Sequence, residues 1–281
     1  MTSVSVVLNV LGDEPWIAQC LACVAWADEV LVTDMGASPA TREACERAGA
    51  TIVPVPRTAT VEPARALGVQ ATSHGWVLVL DPDELVPESL ARRLRVVADS
   101  GEADVVFMSW RNFLLGSEIR HTGWGMHPDR HARFFRKGAL EFKDQVHSVP
   151  ATAPGSRVLV FDAVEDLAVV HLNYTDTSSF LRKLDRYTTA EAQEAGGRAP
   201  ASGRRAAVQA CGEVWRRYVT YRGFRDGWRG AVLSVLQGVY VVVAWAKAKE
   251  LAETGGEAGI LETYARVAHE VVQGHAGAPD E

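Results

Sequence analysis

The sequence contains few cysteines, no overall excess of positive charge and no secretory leader, and each absence removes a class of protein. Four cysteines in 281 residues are too few and too unevenly spaced for a disulfide framework. A formal net charge of −6 argues against general nucleic-acid binding, which requires a strongly basic surface. The N-terminus lacks a basic segment followed by a long apolar stretch, so we expect a cytoplasmic protein.

Cys20 and Cys23 form a C-x-x-C pattern inside an apolar run with helical spacing. No second cysteine pair or nearby histidine completes a metal site. We therefore interpret both cysteines as small buried side chains.

Apolar strands alternate with helices over the first hundred residues. Strands are predicted at residues 4–10, 30–33, 51–55, 76–80 and 105–110, and helices at 16–24, 39–47, 63–72 and 87–98. Ser38 is the predicted N-cap of the second helix, with Pro39 at its first position. Short continuous apolar strands separated by helices indicate a parallel sheet covered on both faces. Ligands of such sheets bind beyond the carboxyl ends of the strands.

The composition changes after Trp110 and again near residue 176. Residues 111–175 are rich in aromatic residues, histidine and arginine and carry glycine turn signals, which indicates irregular or antiparallel structure. Residues 176–281 are predominantly helical, with Thr177 or Ser178 as the cap of a helix over 180–194. The sequence thus predicts an α/β protein with a helical C-terminal extension.

Three acids follow the fourth strand within four residues, in the order Asp81-Pro82-Asp83-Glu84. Carboxylates crowded at the end of a buried strand repel one another unless a cation or hydrogen-bond donors compensate them. Mg²⁺ commonly takes one or two carboxylates together with phosphate oxygens. The alternative is a solvated turn in which Asp83 and Glu84 favour the N-terminus of the next helix.

Four ordered blocks carry a family resemblance. Residues 4–14, 26–38, 65–84 and 111–147 resemble family-2 glycosyltransferases of the GT-A fold, and most closely the bacterial branch that includes lipopolysaccharide-core glucosyltransferases. The likeness continues through Arg-Gly-Phe-Arg-Asp-Gly-Trp at residues 222–228. It implies a donor-binding half at residues 1–110, an acceptor-binding and catalytic half of the same domain at 111–175, and a helical region at 176–281.

The resemblance also implies which residues bind the nucleotide-sugar donor. The acids expected beside the nucleoside are Asp13, Glu14 and Asp34. Arg65 matches a basic position that faces the donor diphosphate. Asp81 and Asp83 match the acids that hold a divalent metal, Mg²⁺ or Mn²⁺, with Asp83 the more direct ligand.

The second half is expected to supply a base and a further metal ligand. Asp129 falls in a block that resembles the family's Trp-x-Pro-Asp pattern, which makes it the candidate base for an inverting transfer. The alternative is an ion pair with Arg130 or Arg133. His147 resembles a histidine near the metal or diphosphate and is the candidate third ligand; its alternative is a structural role.

A zinc hydrolase is a different interpretation of the histidine-rich segment. His121, His127, Asp129 and His131 are clustered in the sequence. Their spacing fits no helical H-x-x-x-H pattern with a catalytic glutamate, and Pro128 disfavours a helix there. The sequence therefore disfavours this alternative.

Positive charge is concentrated in residues 204–249, which contain nine basic residues and only two acidic ones. Within this segment, residues 231–246 form a run of sixteen without charge, shorter than the ~20 residues that span a bilayer. The pattern suits peripheral contact with the anionic inner face of a membrane. The alternative is a helix packed on the catalytic domain or across a homo-oligomer interface.

Together these features predict an inverting glycosyltransferase that moves a sugar from a nucleoside diphosphate, with UDP favoured, to a glycan, a lipid-linked glycan or a natural product. Nucleotidyl transfer is one alternative, but it would require a glycine-rich basic loop where Gly12-Asp13-Glu14 is acidic. A non-catalytic protein that binds sugar nucleotides is another, and the Asp81/Asp83 pair argues against it.

Overall fold

The computed structural model describes residues 1–58, 61–141, 151–196 and 202–276. Its strands are β1 (Val4–Gly12), β2 (Glu29–Ala37), β3 (Thr51–Pro54), β4 (Trp76–Leu80), β5 (Glu84–Leu85), β6 (Val105–Leu114), β7 (Ser117–Glu118), β8 (Arg130–Arg136), β9 (Leu140–Glu141), β10 (Ala151–Thr152), β11 (Val158–Val160) and β12 (Ala168–Leu172). Its α-helices are α1 (Ile17–Cys23), α2 (Pro39–Arg47), α3 (Glu62–Ala71), α4 (Glu88–Ser100), α5 (Thr177–Glu194), α6 (Gly203–Trp215), α7 (Gly227–Thr254) and α8 (Glu257–Ala276).

Ten of the strands within these described ranges form one sheet, in the order β3-β2-β1-β4-β8-β6-β12-β5, with β7 and β11 also paired to β6. β5, β7 and β8 run antiparallel to their neighbours, and the other seven strands share one direction. The predicted α/β class, with a mostly parallel sheet flanked by helices, is confirmed. The carboxyl ends of the seven co-directional strands lie along one edge of the sheet.

Strand β1 is packed on both faces, and its sequence is almost continuously apolar for that reason. Val6 and Leu8 belong to one buried apolar layer, which includes residues of α1 and α4, and Val7 belongs to the layer on the opposite face. A strand that is packed on both faces needs apolar side chains at successive positions rather than at alternate ones.

Local capping chemistry defines two of the helix starts. Ser38 accepts a hydrogen bond from the backbone N–H of Thr41, and Pro39 is the first residue of α2, as predicted. The predicted cap of α5 was wrong by one residue or two. Asp176 accepts the backbone N–H of Ser179 at 2.6 Å, and a carboxylate is a stronger acceptor for a free helical N–H than a hydroxyl.

The chain divides into two compact units. The first comprises Met1–Arg182 and Trp215–Ser234, and the second comprises Lys183–Val214 and Val235–Glu281. The region from residue 176 is helical in its described parts, as predicted, and it contributes to both units. The large sheet and the candidate site lie in the first unit.

Within the described ranges, one helical segment, Gly223–Thr254, is long and apolar enough to cross a membrane by length and composition. The expectation that the uncharged run at 231–246 is too short does not hold for the whole helix, because the helix continues beyond the run at both ends.

All four cysteines are free. Cys20 is buried in α1, and its thiol lies 2.8 Å from the carbonyl oxygen of Pro82 and 3.2 Å from that of Glu84. Burial and the nearby acids raise the pKa of this thiol. The prediction of a small buried side chain is confirmed for Cys20. Cys23 is only half-buried.

Candidate active site

The acidic segment Asp81–Glu84 connects two strands that lie far apart in the sheet. β4 ends at Leu80 and β5 begins at Glu84, and β8, β6 and β12 lie between them in the sheet order. The backbone N–H of Leu172, at the end of β12, donates to the carbonyl oxygen of Asp83 at 2.8 Å. The segment therefore runs along the carboxyl edge of the sheet, where ligands of parallel sheets bind.

Glu84 is buried, and its carboxylate joins this segment to β6. Its carboxylate accepts the indole N–H of Trp110 at 2.7 Å and the backbone N–H of Asp81 at 2.9 Å. Burial raises the pKa of Glu84 above its usual value, and the charge of Asp81 adds to that rise. The solvated-turn alternative was therefore wrong for Glu84, which is part of the sheet and does not favour a helix start.

Asp81 is held by two arginines. Nη2 of Arg65, from α3, lies 2.6 Å from both carboxylate oxygens of Asp81, and Nη2 of Arg133, from β8, lies 3.5 Å from one of them. Burial raises the pKa of Asp81, but the two guanidinium charges outweigh it and keep the pKa below its usual value. Asp81 is therefore an ionised carboxylate with its charge already compensated. Of the two arginines, only Arg65 was singled out as a donor-site residue from the sequence.

Arg133 and Arg136 both belong to β8, but their side chains have different partners. Arg133 reaches the acidic segment, whereas Arg136 pairs with Asp104 at 3.4 Å and lies over the ring of Trp76. Arg136 is paired with Trp76 at the start of β4, away from the carboxyl edge, so only Arg133 lies at the site.

Asp83 lies beside a histidine that the sequence analysis missed. Nε2 of His171, from β12, is 3.6 Å from a carboxylate oxygen of Asp83, and each side chain is about one-fifth exposed. Burial lowers the pKa of His171, but Asp83 and the other nearby carboxylates outweigh it and raise the pKa above its usual value. The only sequence signal for His171 is a polar residue in an apolar strand.

Asn112 connects His171 to Asp129. The strand register places His171 opposite Asn112 of β6, and the side-chain oxygen of Asn112 lies 2.8 Å from Nδ1 of His171. The amide nitrogen of Asn112 donates to Asp129 at 2.5 Å and to the backbone oxygen of Trp124 at 2.9 Å. Asn112 is almost fully buried, so these contacts are protected from water.

Asp129 forms a second side-chain contact, 2.7 Å long, to Nε2 of His131. Burial raises the pKa of Asp129, but the hydrogen bonds from His131 and Asn112 outweigh it and leave the pKa below its usual value. The alternative ion pairs with Arg130 or Arg133 do not occur among the described contacts, where Arg133 is bound to Asp81 and Arg130 lies near Ser109. Asp129 is thus ionised and held at the same edge as His171.

The loop that carries Asp129 is fixed by its backbone. A Cβ atom at Gly125 would lie 2.2 Å from the carbonyl oxygen of Arg120, so the loop requires glycine there. The carbonyl oxygen of Asp129 accepts the backbone N–H of Trp110 at 3.2 Å, which joins the end of the loop to β6.

The Arg-Gly-Phe-Arg-Asp-Gly-Trp block supports this loop from the other side. The carboxylate of Asp226 accepts the backbone N–H groups of Arg120 and His121, at 3.2 and 3.1 Å, and the hydroxyl of Thr122 at 2.7 Å. Thr122 has a φ of 61°, a left-handed conformation that is unusual for a β-branched residue. The contacts of Asp226 hold this conformation in place.

The predicted nucleoside contacts lie at the ends of β1 and β2. Asp13 is exposed, and Glu14 is half-buried with its carboxylate 3.1 Å from the backbone N–H of Leu11. Asp34 is buried in the last half of β2, where it accepts the N–H groups of Gly36 and Ala37 and pairs with Arg42. Both oxygens of Asp34 are therefore engaged within the protein.

Not every predicted metal ligand is brought together. His147 lies outside the described residues. In the described ranges, no group of three or more histidine, cysteine, aspartate or glutamate side chains is arranged to hold a metal ion. The zinc alternative is therefore unsupported, because its four residues are all described. Among the described residues, Asp83 and His171 remain as a candidate pair of metal ligands.

Comparison with known proteins gives a family match and several remote structural likenesses. The family model described as Glycosyl transferase family 2 matches residues 5–167. Glucosyl-3-phosphoglycerate synthase from Mycobacterium tuberculosis, solved with Mn²⁺, UDP and glucosyl-3-phosphoglycerate, is similar at 25% identity over 39% of this chain, with a TM-score of 0.35. This chain spans 44% of that synthase.

A second similar structure is TarS (residues 1–349) from S. aureus, at 12% identity over 90% of this chain and 92% of that chain, with a TM-score of 0.44. Both TM-scores are too low to transfer residue roles. The function of this chain is therefore argued from the family match and from the geometry of its own site.

Proposed function

Because the chain belongs to glycosyl transferase family 2, we propose that it transfers a sugar from a nucleoside diphosphate, UDP being favoured, to an acceptor hydroxyl with inversion. The observation that carries the proposal is the meeting of Asp83, His171 and Asp129 at the carboxyl edge of the sheet. The first two form a candidate ligand pair and the third is an ionised carboxylate, and Asn112 contacts both groups. The resemblance to the lipopolysaccharide-core branch remains a proposal.

The residues present suit a divalent metal, Mg²⁺ or Mn²⁺. Asp83 and His171 provide a carboxylate oxygen and an imidazole nitrogen 3.6 Å apart, and both side chains are partly exposed to an incoming ligand. Two protein ligands are sufficient where phosphate oxygens complete the coordination. A bound ion would neutralise charge on the departing nucleoside diphosphate. Asp81 is proposed to contribute beside this pair, and His147 is retained as a proposed ligand without structural support.

Arg65 and Arg133 are proposed to face the donor diphosphate. Arg65 Nε and Arg133 Nη1 are buried and have no hydrogen-bond partner among the described residues. A buried donor without an acceptor costs free energy, about 1–3 kcal/mol. Phosphate oxygens are suitable acceptors for guanidinium groups. Because both nitrogens are shielded from solvent, donor binding would satisfy them as the guanidinium groups turn toward the phosphates.

Asp129 is proposed as the base. Its carboxylate takes the proton of the acceptor hydroxyl as that oxygen attacks the anomeric carbon, and the bond to the diphosphate oxygen breaks with its electron pair leaving on the nucleotide. The lowered pKa of Asp129 keeps the group ionised before reaction. Proton transfer by a positioned carboxylate typically contributes about 10²–10⁴-fold to the rate.

The nucleoside is proposed to lie near Asp13, Glu14 and Asp34. The side chain of Asp34 is only 3% exposed, against 19% for Asp129, and both of its oxygens are bound within the protein. We therefore infer that Asp34 acts by holding the turn at residues 36–37 rather than through direct contact of its carboxylate. The acceptor is proposed to be a glycan, a lipid-linked glycan or a natural product.

Calorimetric titration with UDP, GDP, dTDP and CMP, each with and without Mn²⁺, tests this proposal. We expect one diphosphate, UDP, to bind tightly only when the metal is present, because the ion and the arginines share its charge. Absence of metal-dependent binding to all four would overturn the proposal. Metal-dependent binding without slow hydrolysis of any UDP-sugar would favour the non-catalytic alternative.

We further propose that the first unit contacts an anionic membrane surface through its C-terminal segment. Trp215, Phe224 and Trp228 are all more than half exposed, and the exposed side chains of Arg222 and Arg225 lie in the same short segment. Large amphipathic aromatics with arginine suit the boundary between lipid headgroups and acyl chains. Such contact would bring the enzyme to a lipid-linked acceptor.

The membrane proposal predicts charge-dependent binding to vesicles. Each basic residue near an anionic surface contributes about 1 kcal/mol, so replacing both Arg222 and Arg225 by glutamine should weaken binding by about 30-fold. Sedimentation with vesicles of phosphatidylserine and phosphatidylcholine measures this change. The matched control replaces the exposed Arg47 and Arg92 by glutamine and should bind like the wild type. Equal weakening in both variants would contradict the proposal, and so would a stable dimer that does not sediment with the vesicles.

A further inference from the structure

Asn112 lies between the two side chains that are proposed to act in the site, His171 and Asp129. Its side-chain oxygen is 2.8 Å from Nδ1 of His171, and its side-chain nitrogen is 2.5 Å from Asp129. The same nitrogen donates to the carbonyl oxygen of Trp124 at 2.9 Å. Asn112 is buried in the interior of β6, so its side chain is held by packing as well as by these bonds.

The partners of Asn112 determine its orientation. A backbone carbonyl and an ionised carboxylate are both acceptors, so the end of Asn112 that faces Trp124 and Asp129 must be the amide NH₂. The other end is then the carbonyl oxygen, which accepts hydrogen bonds and cannot donate them. The ring nitrogen that faces it, Nδ1 of His171, must therefore carry a hydrogen.

This orientation determines which nitrogen of His171 is free. With the hydrogen on Nδ1, the neutral ring has its lone pair on Nε2, and Nε2 is the nitrogen that faces Asp83. A nitrogen lone pair and a carboxylate oxygen that face each other repel unless a proton or a cation lies between them. Metal-binding histidines commonly have their other ring nitrogen held by an oxygen acceptor in this way.

We propose that Asn112 is a positioning residue that prepares both halves of the reaction: its carbonyl oxygen holds His171 in the Nδ1–H tautomer, and its amide group holds the carboxylate of Asp129. One buried side chain thereby fixes the tautomer of the proposed metal ligand, His171, and the position of the proposed base, Asp129. The inference rests on the proposed function for the identity of those two groups. The tautomer itself follows from the hydrogen bonds alone.

The tautomer can be measured on the metal-free protein. Long-range ¹⁵N–¹H correlation spectra distinguish the two neutral tautomers of histidine, and the His171 signals are assigned by their absence in His171→Gln. At a pH where the ring is neutral, we expect the Nδ1–H form in the wild type, although free imidazole side chains favour Nε2–H. Observation of Nε2–H in the wild type would overturn the proposal.

Two substitutions separate the two roles. Asn112→Asp keeps an oxygen acceptor for His171 but removes the donor to Asp129 and places a second carboxylate beside it. We expect Asn112→Asp to retain the Nδ1–H tautomer and wild-type Mn²⁺ affinity in the presence of UDP, while turnover falls by about 10–100-fold. Asn112→Leu removes all three bonds of the side chain. It should lose the Nδ1–H tautomer, reduce Mn²⁺ affinity by about 10–100-fold and lower turnover.

A purely structural role predicts a different pattern. In that case both variants would lower the melting temperature and the Mn²⁺ affinity together. The tautomer of His171 would then not depend on whether residue 112 provides an oxygen acceptor. If Asn112→Leu does not fold, the wild type and Asn112→Asp still decide the question. The Nδ1–H form in a protein without metal-dependent UDP binding would overturn the proposed function alone. The Nε2–H form would overturn the role of Asn112 even in an active transferase.

Discussion

Replacement of Asp83 by asparagine is expected to abolish sugar transfer and metal-dependent UDP binding together. The substitution preserves the shape of the side chain but removes the charge that faces Nε2 of His171. Loss of one electrostatic contact to a leaving group usually costs about 10²–10³ in turnover. A direct metal ligand should cost at least as much, because the ion itself is lost. Calorimetry with UDP and Mn²⁺, together with a transfer assay, measures both effects.

The fold should survive this change. The backbone oxygen of Asp83, which pairs with Leu172, is unaffected by the substitution. Asp104→Asn is a matched control, because it makes the same chemical change in a carboxylate that pairs with Arg136 and Arg157 in the same unit. Neither arginine belongs to the candidate site, so the control should keep full activity. Unimpaired transfer by Asp83→Asn would refute the metal assignment.

Replacement of Asp129 by asparagine is expected to lower turnover by about 10²–10⁴-fold while leaving UDP affinity unchanged. An amide cannot accept the proton of the acceptor hydroxyl. The described contacts of the Asp129 side chain are Asn112 and His131, and none of the residues proposed to bind the diphosphate is among them. Parallel measurement of turnover and of calorimetric UDP affinity therefore separates the base from the donor site.

The same Asp104→Asn protein serves as the control for Asp129→Asn. Turnover close to that of the wild type would place the base elsewhere. A loss of UDP affinity as large as the loss of turnover would show that Asp129 supports donor binding instead.

Most elements of the fold could be predicted because their signals are local. The strands at the start of the chain are short apolar runs between turn residues, and α2 begins with the Ser38 cap and Pro39 that predict it. The error at α5 is also local: Asp176, directly before the predicted cap, is the residue that accepts the helical N–H.

The candidate site was predictable only in part, for a different reason. Asp81 and Asp83 stand out because carboxylates at the end of an apolar strand require compensation. Arg65 was expected from the family resemblance alone, and the structure does bring it to Asp81. His171 and Asn112 carry no such signal. His171 is the one polar residue of β12 and Asn112 is one of several in β6, and either residue could equally have been a structural hydrogen-bonding group.

The sequence by itself determined the α/β class, the order of the first strands and helices, and the position of the acidic segment after β4, because these depend on periodicity and on neighbours in the chain. Only the tertiary structure decided which side chains meet that segment. Antiparallel pairing of β5 with β12 and parallel pairing of β12 with β6 bring Glu84, His171 and Asn112 side by side across three strands. Residues 84 and 171 are far apart in the chain, and strand register between such distant segments is set by packing, which no local pattern encodes.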